Sequence, residues 1–171
     1  MRPMTKEFLE AAFAGESQAH MKYLAFAEQA EKEGKPKIAN LSRAIAYAEQ
    51  VHAINHLKAL GKVGTTAENL AAAKGGEDFE IEEMYPAYLC TAREQEEKQA
   101  IRSMGFALDA EKIHSELYAL AKEAVEAGED LAAAKRVFVC PVCGWTYTGD
   151  DPPDRCPICN AMAKVFREFE A

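Results

Sequence analysis

The sequence predicts a mainly α protein: a four-helix bundle over residues 1–134, followed by a small metal-held β/loop module over residues 135–171. Three observations carry this. Long stretches of helical pattern are punctuated by glycine and proline. Two Glu-x-x-His units lie about sixty residues apart. Four of the five cysteines fall within twenty residues near the C-terminus.

Thr5 is placed to cap the first helix, which runs to about Lys32. Glu33-Gly34-Lys35-Pro36 breaks it, glycine closing one helix and proline fitting the first turn of the next. The second helix spans about Pro36 to Leu60, with Ile38, Leu41, Ile45, Ala48, His52 and Ala59 near one side, and Gly61 and Gly64 close it. Residues 61–78 read as a connection with at most a short helical turn at Thr66–Leu70. Asp78 then caps a third helix starting near Phe79 and kinked at Pro86. A boundary near Gln95–Glu97 leads to a fourth helix ending at about Ala127, before Gly128. Beyond Lys135, Val137-Phe138-Val139 reads as a strand in a segment rich in Cys, Pro, Gly and Asp. So small a segment cannot bury enough apolar surface to fold without a metal or a supporting surface.

The net charge of −8 lies wholly in the helical part, since residues 135–171 carry five basic and five acidic side chains. An acidic bundle excludes a nucleic-acid partner, which calls for a basic face. It suits carboxylates that metal, rather than lysine, neutralises. No stretch is long and apolar enough for a membrane span, and Met1-Arg2-Pro3-Met4-Thr5-Lys6 lacks the apolar core of a secretory signal, so the expected compartment is the cytoplasm.

In Glu49-x-x-His52 and Glu111-x-x-His114, the i, i+3 spacing puts both side chains of each pair on one helix face. Di-iron carboxylate bundles use two such units plus a glutamate from each of the other two helices. The candidates for those are Glu16, with Tyr23 two turns on along the same face, and Glu80 or Glu83, which share a face. His20 and His56 are read as structural or surface residues, and Cys90 as a small buried hydrophobe. Cys140-Pro-Val-Cys143 and Cys156-Pro-Ile-Cys159, twelve residues apart, form a tetrahedral four-sulfur site. Spacing alone leaves iron and zinc open there.

Phe13-Ala-Gly-Glu-Ser-Gln18, Glu49-x-x-His52, Glu80-x-x-Glu83-Met-Tyr-Pro86, Glu111-x-x-His114 and the cysteine pairs, in this order, resemble the rubrerythrin family over nearly the whole chain. The resemblance implies a ferritin-like bundle with a rubredoxin-like domain. It also implies two irons in the bundle and one in the four-cysteine site, where zinc can substitute. In it, Glu49 and Glu111 bridge the irons, Glu16 binds the first, and Glu80 and His114 bind the second. His52 and Glu83 alternate on the first iron with redox state, and Tyr23 and Tyr85 are hydrogen-bond donors around the site.

The activity so implied is that of a peroxidase. Hydrogen peroxide is reduced to water by electrons passed through the four-cysteine iron site from an external donor, a nicotinamide-linked reductase or a rubredoxin. This chain has no glycine-rich dinucleotide fingerprint of its own. A bundle of 25-residue helices is about 38 Å long, so the module is expected to reach the irons of a second subunit in a head-to-tail homodimer. Residues 61–78 leave room for helix pairs to be exchanged between subunits. The competing function is a ferritin-like ferroxidase that handles iron.

Overall fold

The computed structural model describes all 171 residues. Five α-helices, α1 (Pro3–Lys32), α2 (Pro36–Ala59), α3 (Thr66–Phe79), α4 (Tyr85–Glu94) and α5 (Lys98–Glu126), precede three short strands, β1 (Arg136–Val139), β2 (Thr146–Thr148) and β3 (Arg167–Glu170). A π-helical turn, Glu80–Met84, joins α3 to α4, so Thr66–Glu94 is one helical rod and the bundle helices number four. No helix is long and apolar enough to cross a membrane. The chain divides into two compact units, Met1–Gly64 and Thr65–Ala171. This division falls between α2 and α3.

The first unit is a hairpin of α1 and α2. Helix α1 starts at Pro3 rather than behind a Thr5 cap, because proline's fixed φ and missing N–H suit the first helical position. The buried side chains of the hairpin are alanines: Ala27, Ala30, Ala39, Ala46 and Ala53. Methyl groups alone let the two backbones approach closely. The larger apolar side chains Ile38, Leu41 and Ile45 are exposed, so the bulky face of α2 is not the one that α1 covers. His20 has a structural role, its Nδ1–H donating to the Ala46 carbonyl of α2 across 2.8 Å.

In the second unit the rod α3–α4 packs against α5. Helix α3 begins thirteen residues before the expected start at Phe79, so residues 61–78 are mostly helix. The reason is a capping box: the Glu68 N–H donates to Thr65 Oγ1, and the Thr65 N–H donates to Glu68 Oε2 at 2.7 Å. With its first amides satisfied there, the helix runs through Gly75 and Gly76, and Asp78 lies inside it, accepting from Lys74 and Ser115.

The π turn shifts the register of everything beyond it. Proline lacks an N–H and crowds the carbonyl four residues back, and a locally widened turn just before Pro86 relieves both. Counted on α-periodicity, Glu83 and Cys90 belong to the inner face. Both are in fact exposed, and Leu89 and Ala92 are buried instead.

Four helix ends share one motif, in which the residue after the cap takes positive φ while it and its successor donate back to the last turn. Gly34, Gly61 and Gly128 supply that residue for α1, α2 and α5. At the end of α4 it is Glu96 (φ 56°), which is why no glycine or proline marks that boundary in the sequence.

The module is an antiparallel sheet in the order β2-β1-β3, with Phe138 opposite Tyr147 and Glu168. Its core is Cys140, Cys143, Trp145 and Cys156, closed by Tyr147, Ile158 and Phe166 and by Phe106 and Ile113 of α5. The small domain thus borrows a helix face to complete its core.

Because Glu96 carries a left-handed conformation that costs an L-residue about 1 kcal/mol, exchanging Glu96 for glycine is expected to raise the thermal midpoint. A lower midpoint in a calorimetric scan contradicts this account of the α4 end.

Candidate metal centres

On the hairpin, α1 presents Glu16 and α2 presents Glu49 and His52, with donor atoms within 4.8 Å of one another. Glu49 lies on the alanine side of α2, between the buried Ala46 and Ala53, which sets it toward α1. His52 Nδ1 stands 3.0 Å from Glu49 Oε2 and 3.9 Å from Glu16 Oε1.

The second unit carries a matching group: Glu77 of α3 with Glu111 and His114 of α5, again within 4.8 Å. His114 Nδ1 is 2.6 Å from Glu111 Oε2. Glu77 was passed over in the sequence. It sits three residues before Glu80, so the two share a face of α3, and burial raises both carboxyls. The hydrogen bond and charge of Glu111 push Glu77 further, to about 7. Glu80 is raised by burial and then by the charge of Glu111.

Tyr85 follows Glu80 by one π-turn hydrogen bond, its N–H donating to the Glu80 carbonyl. Its phenol is pushed up by burial and then by the charges of Glu80, Glu111 and Glu77. Glu83, expected here with Glu80, is exposed and belongs to neither carboxylate–histidine group. The physical reason is the π turn. The usable signal was the spacing Glu77-x-x-Glu80 five residues ahead of Tyr85, which a helix start near Phe79 leaves out. Tyr23 is half-buried on α1, with its ring 6.1 Å from that of Phe26.

Both groups suit a divalent ion. In the second group Glu77, raised first by burial and then by the hydrogen bond and charge of Glu111, is a carboxyl that a cation would help to ionise. At 2.6 Å, the Nδ1–Oε2 contact of His114 and Glu111 holds a proton that a metal ion replaces. Oxygen donors with one imidazole in each group suit iron.

The four cysteine sulfurs also lie within 4.8 Å of one another, with Cys140–Cys159 at 3.5 Å and Cys143–Cys156 at 3.4 Å. Tetrahedral thiolates at about 2.3 Å from a metal stand about 3.8 Å apart, so the sulfurs already approximate the shell. Two like loops hold them. Gly144 N–H donates to Cys140 O and Asn160 N–H to Cys156 O, with Gly144 and Asn160 both at positive φ. Burial pushes the Cys143 thiol up. Burial acts the same way on Cys156, but the backbone amides of Cys159 and Ile158 outweigh it and leave that thiol lowered.

One side chain touches both sites of the second unit. Opposite its Glu111 contact, His114 Nε2 lies 2.9 Å from Thr146 Oγ1 and 3.2 Å from the carbonyl of Gly144, the residue after Cys143. A carbonyl only accepts, so Nε2 carries the proton and Nδ1 keeps its lone pair for a metal. The cysteine site therefore reaches the ligand helix of its own chain. The module packs on the middle of α5 through Phe106 and Ile113.

Comparison with known proteins fits this arrangement. Residues 7–122 match the family model described as rubrerythrin, and residues 138–167 match the one described as rubrerythrin, rubredoxin-like domain. Rubrerythrin-2 of Clostridium acetobutylicum is 44% identical over 97% of both chains. Nigerythrin of Nitratidesulfovibrio vulgaris is 34% identical over 96% of this chain and 86% of that one. The solved structure of partially reduced nigerythrin covers the same shares with a TM-score of 0.57 at 32% identity. The chain therefore belongs to the rubrerythrin family, as a ferritin-like oxidoreductase with a di-iron carboxylate site and a rubredoxin-like four-cysteine site that both hold iron.

Proposed function

We propose that this chain is a peroxidase that reduces hydrogen peroxide to water, with residues 1–134 as the catalytic bundle and residues 135–171 as its electron relay. The observation that carries the reading is His114, which contacts Glu111 with one ring nitrogen and the loop after Cys143 with the other. An iron-storage protein has no need of such a link. The irons, when bound, supply the two electrons for O–O cleavage, and the cysteine-held iron supplies single electrons in return. These come from an external donor such as a rubredoxin or a nicotinamide-linked reductase. The charge pattern and the lack of a membrane-spanning helix suit a cytoplasmic setting.

The proposed bundle ligands are Glu16, Glu49 and His52 from one unit and Glu77, Glu80, Glu111 and His114 from the other. The pair of glutamates on the third helical rod thus moves three residues toward the N-terminus from the pair read in the sequence. Glu77 would join His114 in holding an iron, with Glu80 as the further carboxylate on that rod. Glu49 and Glu111 would each hold metal beside its own histidine three residues on. The His114 Nε2–H bond to Gly144 and Thr146 fixes the ring and strengthens Nδ1 as a donor. The Tyr85 hydroxyl, among three carboxylates, is placed to donate a hydrogen bond or a proton to an oxygen held there, and Tyr23 is assigned a similar role on α1.

Three measurements test this reading. In rapid mixing of anaerobically reduced, iron-analysed protein, peroxide should restore the ferric–thiolate colour much faster than oxygen does. Absence of that colour, or equal rates with the two oxidants, rejects peroxidase coupling. Replacing Glu77 with Gln should slow the peroxide reaction by about 100-fold or more, while Glu83→Gln changes it little. The opposite ranking restores the Glu80/Glu83 pair.

The third is pH dependence. Glu77 titrates near 7 in the folded, metal-free chain, above an unfolded carboxyl at 4.5, so the folded state holds the extra proton between those values. Metal-free protein should therefore lose stability as pH rises from about 5 to 8. Iron-loaded protein, whose ligands are deprotonated by the metal, should not. Chemical denaturation at several pH values separates the two, and parallel profiles refute the carboxylate cluster.

A further inference from the structure

We propose that the external electron donor is an acidic one-electron carrier protein, and that it docks on the second cysteine loop, where Arg155 and Lys164 flank Cys159. This rests on the relay role proposed above and deepens it, by naming the entry face and the chemistry of the partner.

The two cysteine loops share a backbone pattern, but their surroundings differ. The first is turned onto α5. A β-carbon at Gly144 would lie 3.7 Å from that of Ala110, and the Gly144 carbonyl faces His114 Nε2 at 3.2 Å. Phe106 and Ile113 of the same helix pack against the cysteine cluster, and Cys140 and Cys143 are buried. The second loop is turned outward. Asn160, the counterpart of Gly144, is exposed, as are Pro157 and Met162. Cys159 is half-buried, the most open of the four clustered cysteines. Electron tunnelling falls steeply with distance, so a donor must come close to a sulfur. At the first loop α5 takes the approach beside Gly144, while at the second the approach is open. Electrons therefore enter at Cys159 and leave past Cys143.

The charge of the second loop selects the partner. From Arg155 to Arg167 the chain has three basic residues and no acidic one, in a protein of net charge −8. The acidic residues of the module fall outside this run, Asp150, Asp151 and Asp154 before it and Glu168 and Glu170 after it. Arg155 Nη1–H donates to the Asn160 carbonyl at 3.3 Å, which lays the guanidinium against the residue that follows Cys159. A backbone bridge between Arg155 and Met162 sets the exposed Met162 beside it, and the exposed Lys164 follows two residues on. Neither Arg155 nor Lys164 forms an ion pair, whereas Arg136 of the same module is engaged by Glu168 and Asp150.

An anionic carrier is repelled by the acidic bundle and drawn to these two free cations, so the field of the protein guides it to the open sulfur. A cationic carrier is held by the bundle instead. Ile158 and Met162, between the two cations in the sequence, supply the small apolar contact that suits a transient electron-transfer pair. In the step itself the carrier loses one electron and the four-cysteine iron gains it, with no bond made or broken and no proton moved.

The test separates reduction of the four-cysteine iron from its reoxidation. Flavodoxin hydroquinone, an acidic donor that turns blue on giving up one electron, is mixed with the oxidised protein in the absence of peroxide. R155E/K164E should slow the reduction by roughly tenfold or more at low ionic strength, and the gap should close as salt is added. K37E/K58E, which changes the net charge equally at exposed lysines of the hairpin, should not slow it. Reoxidation by peroxide should be the same in all of them. The neutral variant R155Q/K164Q guards against local misfolding, and should lose less than the charge reversal while keeping the ferric–thiolate spectrum. A second readout is binding: oxidised flavodoxin added to labelled, zinc-filled protein should shift the amide resonances of residues 155–165.

Equal reduction rates in R155E/K164E and wild type, or an equal loss in K37E/K58E, overturn the proposal. Shifts confined to Val142 and the neighbouring Arg102 of α5 overturn it as well, because they put the entry at the first loop. If peroxide fails to reoxidise the wild-type four-cysteine iron, the relay reading falls and takes the donor role with it. The two failures are distinguishable, because reduction is measured before peroxide is added.

Discussion

Carboxylates held together in a partly dry helix interior repel one another, and the rest of this structure is arranged around that repulsion. Helix propensity, capping and alanine packing bring Glu16 to Glu49, and Glu77 to Glu111, each pair with one histidine beside it. At Glu77 burial first, and then the hydrogen bond and charge of Glu111, favour the protonated carboxyl. A divalent ion relieves the repulsion better, because it brings two positive charges to one point among the carboxylates. Metal binding and the final packing of the bundle are thereby parts of one equilibrium.

Much of this was legible in the sequence. The two Glu-x-x-His units and the cysteine pairs announce themselves because their chemistry depends on short local spacing, which a helix or a knuckle loop preserves. Three helix ends carry glycine at the positive-φ position and could be read directly. The Glu96 end had no glycine and was placed only by the change of pattern around it. Glu77 was lost because a helix starting near Phe79 leaves it in the connection, whereas the exposure of Glu83 and that of Cys90 share another cause. A π turn adds a residue to the local repeat, and α-helical counting across it assigns the wrong side chains to the inner face. Pro86, read as a kink, was the visible sign of that turn, but proline does not say how the helix will accommodate it. The early start of α3 was hidden differently: Gly75-Gly76 suggested a break, while the Thr65–Glu68 box had already committed the chain to helix.

The position of the cysteine module could not have come from pattern at all. A module of this size has too little core of its own, and the structure shows it completing that core with Phe106 and Ile113 of α5. That choice of support is also what sets Gly144 against His114. Folding of the small domain and the contact of Gly144 with His114 therefore come from the same packed surface, with Trp145 stacked on Tyr147 and tilted against Phe166 beside the sulfur site.

The alanine seam of the hairpin has a consequence for how this protein can change over generations. In most helical proteins the large core residues are the intolerant ones, and alanines are interchangeable. Here the order is inverted along α1 and α2. Enlarging Ala27, Ala39 or Ala46 by even one or two carbons must spread the backbones and so separate Glu16 from Glu49, because nothing at a methyl–methyl contact can rotate aside. The bulky residues on the outer faces meet no such fixed neighbour within the hairpin, and one aliphatic shape can replace another there. Drift along this hairpin is confined by its smallest side chains.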